Sequence, residues 1–283
     1  MKTGNGSPQS DTSRRDPVAR VAGWLLGLNA ALIVFSLLGT AARLHGPAPD
    51  WDYETIARVM AIANISTASL VSLLLMVRSQ GWRSALFLLA LCTVIAGGLE
   101  YASTVTGFPF GNYHYTDALG PMLLGKVPIL IPIAWFMMLY PALQMGHQLR
   151  LGPLQLGLAS GLLLMVWDLA LDPAMTTGFA AWLWEDGGWY YGIPLQNFMA
   201  WFVTAAVIAG IHAGLGPAWR RDESALPIML FLLQCFFAGV LAALYDRSWA
   251  LIVTADALFL LALAARARLR SLPPADEKVG SGS

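Results

Sequence analysis

Two aspartates stand four residues apart in Trp167-Asp168-Leu169-Ala170-Leu171-Asp172-Pro173. On a helix, that spacing puts both carboxyls on one face. Two carboxylates so close resist double ionisation, and burial acts in the same direction. The pair therefore predicts a carboxylic acid that keeps its proton near neutral pH and can serve as a general acid. The competing reading is that Pro173 ends the helix, leaving Asp172 to satisfy backbone groups or face water. A third carboxyl, Glu100, follows Gly97-Gly98-Leu99. It precedes a run of glycines and aromatics, Thr106-Gly107-Phe108-Pro109-Phe110-Gly111-Asn112-Tyr113-His114-Tyr115. Alone it reads as an interfacial carboxylate; beside that run it is a candidate site group. These aromatics, with Trp182, Trp184, Trp189, Tyr190 and Tyr191 further on, admit two readings. They form an aromatic belt at a membrane–water boundary, or a slot whose ring faces stabilise a cation.

The other ionisable side chains in or near apolar stretches are Asp117, Lys126, Asp246, Asp256 and His212. Such groups cost about 2.5–3.5 kcal/mol at the centre of a membrane helix, so each needs a reason. Asp256 reads first as a partner for another polar group between helices and second as a site residue. His212, within Gly210-Ile211-His212-Ala213-Gly214, reads as a helix-packing residue. Cys92 and Cys235 lie in apolar windows and read as buried thiols. There is no phosphate-binding loop, no dinucleotide glycine motif, no zinc spacing and no haem or iron–sulfur ligand set. No metal and no cofactor are expected. The formal net charge is zero, which leaves no basic footprint for nucleic acid.

Positioning these residues falls to membrane helices. The 283 residues are 57% hydrophobic and 12% charged, against roughly 25% charge in an ordinary soluble domain. The deficit sits in long uncharged windows, and about 20 apolar residues cross the hydrocarbon core. Eight such spans are read: Val21–Ala42, Val59–Val77, Ser84–Leu99, Val127–Gly146, Leu151–Trp167, Pro194–Leu215, Ala225–Leu244 and Trp249–Ala265. The third and fifth are short and are expected to extend into the acidic segments behind them. With eight spans and a cytoplasmic N-terminus, thirteen of the 17 lysines and arginines fall on the cytoplasmic side, as the positive-inside rule requires. Those thirteen include Lys2, Arg14, Arg15, Arg78, Arg221 and Lys278. The fold expected is thus all-α, a polytopic integral membrane bundle of about eight transmembrane helices with both termini cytoplasmic. A single transmembrane domain spans 17–270, between tails at 1–16 and 271–283 that are polar and read as disordered.

Two outer connections, Glu100–Lys126 and Asp168–Ile193, are long and hold most of the unusual residues; loops of that length are commonly functional. A short repeat links the spans behind them. Pro128 precedes Ala134-Trp135-Phe136 by six residues, and Pro194 precedes Ala200-Trp201-Phe202 by six. Spans three and four thus read as a hairpin duplicated in spans five and six. Gly-x-x-x-Gly spacings at Gly23/Gly27, Gly157/Gly161 and Gly210/Gly214 permit close helix approach.

The motif core, residues 97–202, resembles the carotenoid biosynthesis membrane proteins of the CruF type. The resemblance rests on Glu100, on Thr106 through Tyr115, on Leu119-Gly120, on Gly125-Lys126-Val127-Pro128, and on Trp135. It continues in Asp168-Leu169-Ala170-Leu171-Asp172-Pro173-Ala174-Met175, Trp182, Trp184, Gly188, Tyr190-Tyr191-Gly192-Ile193-Pro194-Leu195 and Asn197-Phe198. One departure is Ala200 in place of the glycine common there, which concerns a helix contact rather than a reactive group. The resemblance implies a carotenoid 1,2-hydratase, adding water across the terminal C1–C2 double bond of a ψ end group. The implied substrates are lycopene-like, γ-carotene-like or C50 bacterioruberin-precursor carotenoids dissolved in the bilayer. Membrane lipids and other enzymes of the pathway are the implied partners, and a bacterial or archaeal plasma membrane the location. Under it, Asp168 or Asp172 is expected to give the proton and Glu100 to position or deprotonate water. Phe108, Phe110, Tyr113, His114, Tyr115, Trp182, Trp184, Tyr190, Tyr191 and Asn197 are expected to meet the substrate. Two other classes fit the residues: an intramembrane prenyltransferase holding Mg²⁺ and diphosphate at Asp168/Asp172, and a transporter or carotenoid carrier using the acids as a path.

Overall fold

The computed structural model describes residues 16–46, 50, 52–220 and 222–272. Lys2, Arg14, Arg15, Arg221 and Lys278 of the charge count lie outside the described residues, as do 1–15 and 273–283 of the expected tails. Eight helices run through the described chain: α1 Pro17–His45, α2 Tyr53–Gln80, α3 Trp82–Thr106, α4 Leu130–Gln148, α5 Pro153–Thr177, α6 Leu195–Leu215, α7 Leu226–Leu244 and α8 Ser248–Ser271. All but α4 are long and apolar enough to cross a membrane, seven among the described residues. The chain is a multi-pass membrane protein with an all-α bundle.

Helix α4 accounts for the difference between the eight spans expected and these seven. It carries Pro132, Tyr140, Pro141, Gln144, His147 and Gln148, which dilute its apolar character. Its position tolerates that dilution. Thirteen of its 19 residues are buried, and it packs against α2, α3, α5, α6 and α7. A helix walled by other helices need not match lipid.

Local chemistry sets the ends. Asp16 caps α1 by accepting from the Val18 and Ala19 amides, and Asp52 caps α2 through Thr55. Pro153 opens α5 at the position where a missing N–H costs nothing. Helix α3 contains a π-helical turn at Cys92–Ala96. That wide turn inserts a residue and rotates the rest of the helix, Glu100 included, relative to its first half. As expected, α3 and α5 run on past their apolar windows, so Glu100, Asp168 and Asp172 are helical.

Of the three glycine pairs, one makes a close helix contact. Cβ atoms on Gly157 and Gly161 would stand 2.9 Å from the Ala206 carbonyl oxygen and 2.5 Å from that of Phe202, so α5 and α6 meet backbone to backbone. At Gly23, Gly27, Gly210 and Gly214 a Cβ would meet nothing within 4 Å.

The two long connections meet. Strand β1 (Tyr113–Tyr115), between α3 and α4, pairs antiparallel with β4 (Trp182–Trp184), between α5 and α6. The register sets Tyr113 opposite Trp184, His114 opposite Leu183 and Tyr115 opposite Trp182. A smaller ribbon joins β2 (Met122–Leu123) to β3 (Val127–Pro128). At the other end of the bundle Arg78 bridges Asp16 at 2.6 Å and Asp222 at 3.2 Å. The Asp222 carbonyl also accepts from Gln144 and Gln148 at the end of α4.

Candidate functional site

The β1–β4 ribbon turns four aromatic side chains inward, because alternate residues of a strand share a face. Each pair meets the acid of its own half. The Tyr113 and Tyr115 hydroxyls donate to Glu100 Oε2, the latter at 2.9 Å. Trp182 and Trp184 donate their indole N–H groups to Asp172 Oδ1 at 2.8 and 2.9 Å. The next helix of each half adds a third donor. Trp135 Nε1 of α4 reaches Glu100 Oε1 at 3.1 Å. Asn197 Nδ2 of α6 reaches Asp172 Oδ2 at 2.7 Å. The pattern is therefore acid, aromatic-x-aromatic, helix donor, and it occurs twice.

Asp168 differs from both. It shares the Asn197 amide, at 2.8 Å to its Oδ2, while its Oδ1 is buried with no protein partner. A carboxylate is stabilised by each N–H or O–H it accepts. Asp172 and Glu100 each have three such donors and Asp168 one. One amide nitrogen of Asn197 thus joins Asp168 to Asp172. All three acids are at most 3% exposed, and among the described residues no ion pair involves them. The phenols of Tyr113 and Tyr115 are pushed well above the usual tyrosine value, by burial first and then by Glu100, so both stay O–H donors.

Glu100 and Asp172 face a cavity of about 150 Å³, room for more than one water. Its wall includes Tyr113, Tyr115, Trp182, Trp184 and Asn197 from the expected set. Trp135, Trp167 and Trp201 also line it. Trp135 and Trp201 stack at 4.0 Å and 12°, and Trp167 meets Trp201 edge-on. The Trp167 N–H is buried without a protein partner. Asn64 and Gln234 line another part of the wall, tied to Asn29 in a buried amide cluster. Arg43, lying 5.3 Å over the Tyr53 ring, borders the cavity at the ends of α1 and α2 nearest the ribbon side.

The remaining candidates lie elsewhere. Asp168 is buried behind Asp172 and does not line the cavity. Phe108 is exposed, and His114 faces outward to Glu185 at 3.0 Å. Phe110 packs against Trp135 from behind. Tyr190 donates its hydroxyl to the Leu169 carbonyl, and Tyr191 lies under the Arg247 guanidinium. Asp256 is exposed on α8, apart from the site and from the bundle interior. His212 packs on Phe87 and Trp219 and bonds Ser84 at 3.2 Å. Both thiols are buried. Pro173 does not end α5, which continues to Thr177.

Trp135, Trp167, Trp201 and the amide cluster were not among the expected site residues. A signal for two of them was present: Trp135 and Trp201 occupy the same place in the Pro…Ala-Trp-Phe repeat. Asn29, Asn64 and Gln234 signalled themselves only as amides in apolar windows. No group of three His, Cys, Asp or Glu side chains able to hold a metal occurs among the described residues.

Comparison with known proteins gives the family. The family model described as carotenoid biosynthesis protein matches residues 55–262. A bisanhydrobacterioruberin hydratase from Haloarcula japonica is 36% identical over 130 residues, covering 44% of this chain and 43% of the relative. The alignment thus spans less than half the length of that curated relative. No solved structure matches. The chain belongs to the carotenoid biosynthesis protein family.

Proposed function

We propose that the chain is a carotenoid hydratase, a hydro-lyase that adds water across the terminal C1–C2 double bond of a ψ end group. The observation that carries this reading is the pairing of buried acids with aromatic walls around one cavity. Hydrating a trisubstituted alkene needs a strong proton donor, shelter for a tertiary cation and one water.

The Asp168–Asp172 pair supplies the donor, with Asp172 the member that faces the cavity. Its proton adds to C2, the π electrons form the new C–H bond, and C1 becomes a tertiary cation. The ring faces of Tyr113, Tyr115, Trp182, Trp184 and Trp201 surround that charge. Glu100, held by three donors, orients a water and takes its proton as the oxygen bonds to C1. The unfilled Trp167 N–H offers that water a further hydrogen bond. The proton left on Glu100 returns to the aspartate pair through solvent or the cavity, so turnover consumes only water. The cavity's size suits the end of an isoprenoid chain, while the rest of the polyene lies in lipid. Lycopene-like, γ-carotene-like and C50 bacterioruberin-precursor carotenoids all present such an end. The protein sits in a bacterial or archaeal plasma membrane with both termini cytoplasmic, beside other enzymes of its pathway.

The donor set disfavours a diphosphate–Mg²⁺ reading of the same aspartates. A hard cation needs free carboxylate oxygens, and those of Asp172 are occupied by Trp182, Trp184 and Asn197. Expression in a host that makes lycopene should yield a carotenoid heavier by one water per reacted end. An unchanged pigment profile, with lycopene, γ-carotene and a C50 precursor each supplied, would defeat the reading.

A further inference from the structure

We propose that Tyr190 is the positioning residue of the Asp168–Asp172 pair, its hydroxyl replacing the backbone N–H that Pro173 lacks; the proposal rests on the reading of that pair as the proton donor. Pro173 lies inside α5. Proline has no N–H, so the carbonyl four residues earlier, Leu169, loses its helical partner. The Tyr190 hydroxyl donates to that carbonyl at 2.8 Å. Leu169 stands between the two aspartates, so the bond closes the turn that carries both.

The donor is itself held in place. The Tyr190 ring is 9% exposed and sits edge-on to Trp189, Tyr191 and Phe198. The turn it closes is followed by two threonine back-bonds. Thr176 and Thr177 bond the carbonyls of Asp172 and Pro173, four residues back, a pattern that bends helices. The demand on this turn is strict, because one amide nitrogen of Asn197 bridges both carboxyls at 2.8 and 2.7 Å. A small rotation of one aspartate would break the bridge. Tyr190 does not line the cavity, so its hydroxyl acts on substrate only through the pair.

The same device occurs once more. Pro141 orphans the Met137 carbonyl in α4, and the Ser72 hydroxyl of α2 donates to it at 2.7 Å. There the capped turn carries no acid. A hydroxyl that merely satisfies a buried carbonyl would therefore contribute stability alone, and the test must separate that from positioning.

The test is a cycle of Tyr190→Phe, Pro173→Ala and the double variant, assayed for hydration with melting temperatures recorded for each. Tyr190→Phe should lower kcat about tenfold or more, leave KM within about twofold and move the acid limb of the kcat–pH profile. Pro173→Ala restores an N–H to the helix. In that background, Tyr190→Phe should cost less than about twofold, because the carbonyl has a partner again. A lowered melting temperature with kcat and pH profile intact overturns the proposal, as does an equal loss in both backgrounds. A raised KM with kcat unchanged makes Tyr190 a substrate contact and overturns it too. If the wild type hydrates no carotenoid, the reading of the reaction fails by itself. Infrared spectra of the protonated carboxyl stretch then decide the proposal without turnover: a band displaced by Tyr190→Phe supports it, and an unchanged band overturns it.

Discussion

At the scale of single residues, three buried acids are told apart by how many donors each one meets. Glu100 and Asp172 hold three apiece, Asp168 one. Their roles in the proposed reaction follow from that difference and from facing. Asp172 meets the cavity and Asp168 backs it as the second member of the pair. Asp172→Asn keeps size and shape but carries no acidic proton. It should lower the hydration rate by about 10²–10⁴-fold, the range that a positioned general acid contributes. The rate is measured on membranes holding folded protein, with gel filtration in detergent as the folding check. A loss below roughly threefold would remove Asp172 from that role.

Between residue and fold stands the repeated hairpin. Each half runs helix, acid, aromatic-x-aromatic strand, helix donor, and the two strands pair to close the site. The helices of the second half are pressed together by Gly157 and Gly161. A methyl at Gly161 would stand 2.5 Å from the Phe202 carbonyl oxygen, and backbone cannot step aside as a side chain can. Gly161→Ala should therefore cost about 1–3 kcal/mol of stability, read as earlier unfolding in a detergent titration. Activity should fall with it, since α6 brings Asn197 to the aspartates and Trp201 to the cavity. Gly23→Ala, where a Cβ meets nothing within 4 Å, should unfold with the wild type. Equal stability of the two variants would show that the α5–α6 contact is not tight.

Over the whole molecule, the end away from the ribbon is fastened by charge. Arg78 joins the start of α1, through Asp16, to the α6–α7 connection, through Asp222. The hydrogen bond from Arg78 is the main cause that holds the Asp16 carboxyl below its ordinary value, and the Ala19 and Val18 amides help. A lowered carboxylate pKa gives stability that is present above the unfolded value near 3.8 and lost as pH falls through the folded value. Melting temperatures of the wild type and Asp16→Asn should differ at neutral pH and converge as pH drops from about 5 to about 2. A constant gap across that range would mean that the ion pair contributes nothing to the pH dependence. Helix α8 is the least enclosed of the seven apolar spans, with 11% of its apolar stretch buried.

Much of this was determined by sequence alone. Uncharged windows of about 20 residues can satisfy their backbone in lipid only as helices, so the membrane bundle follows from composition. The Asp168-x-x-x-Asp172 spacing fixes one helical face, and the two-residue steps Tyr113/Tyr115 and Trp182/Trp184 fix one strand face each. What those faces meet was not local information. That Tyr113 and Tyr115 serve Glu100 while Trp182 and Trp184 serve Asp172 depends on pairing strands about seventy residues apart. That Asp172 faces the cavity and Asp168 does not depends on which side of α5 the neighbouring helices leave open. Tyr190 reads in sequence as one more aromatic beside the site. Only the tertiary structure brings its hydroxyl to the carbonyl that Pro173 leaves bare, because the demand is created in α5 and the donor comes from a loop seventeen residues later.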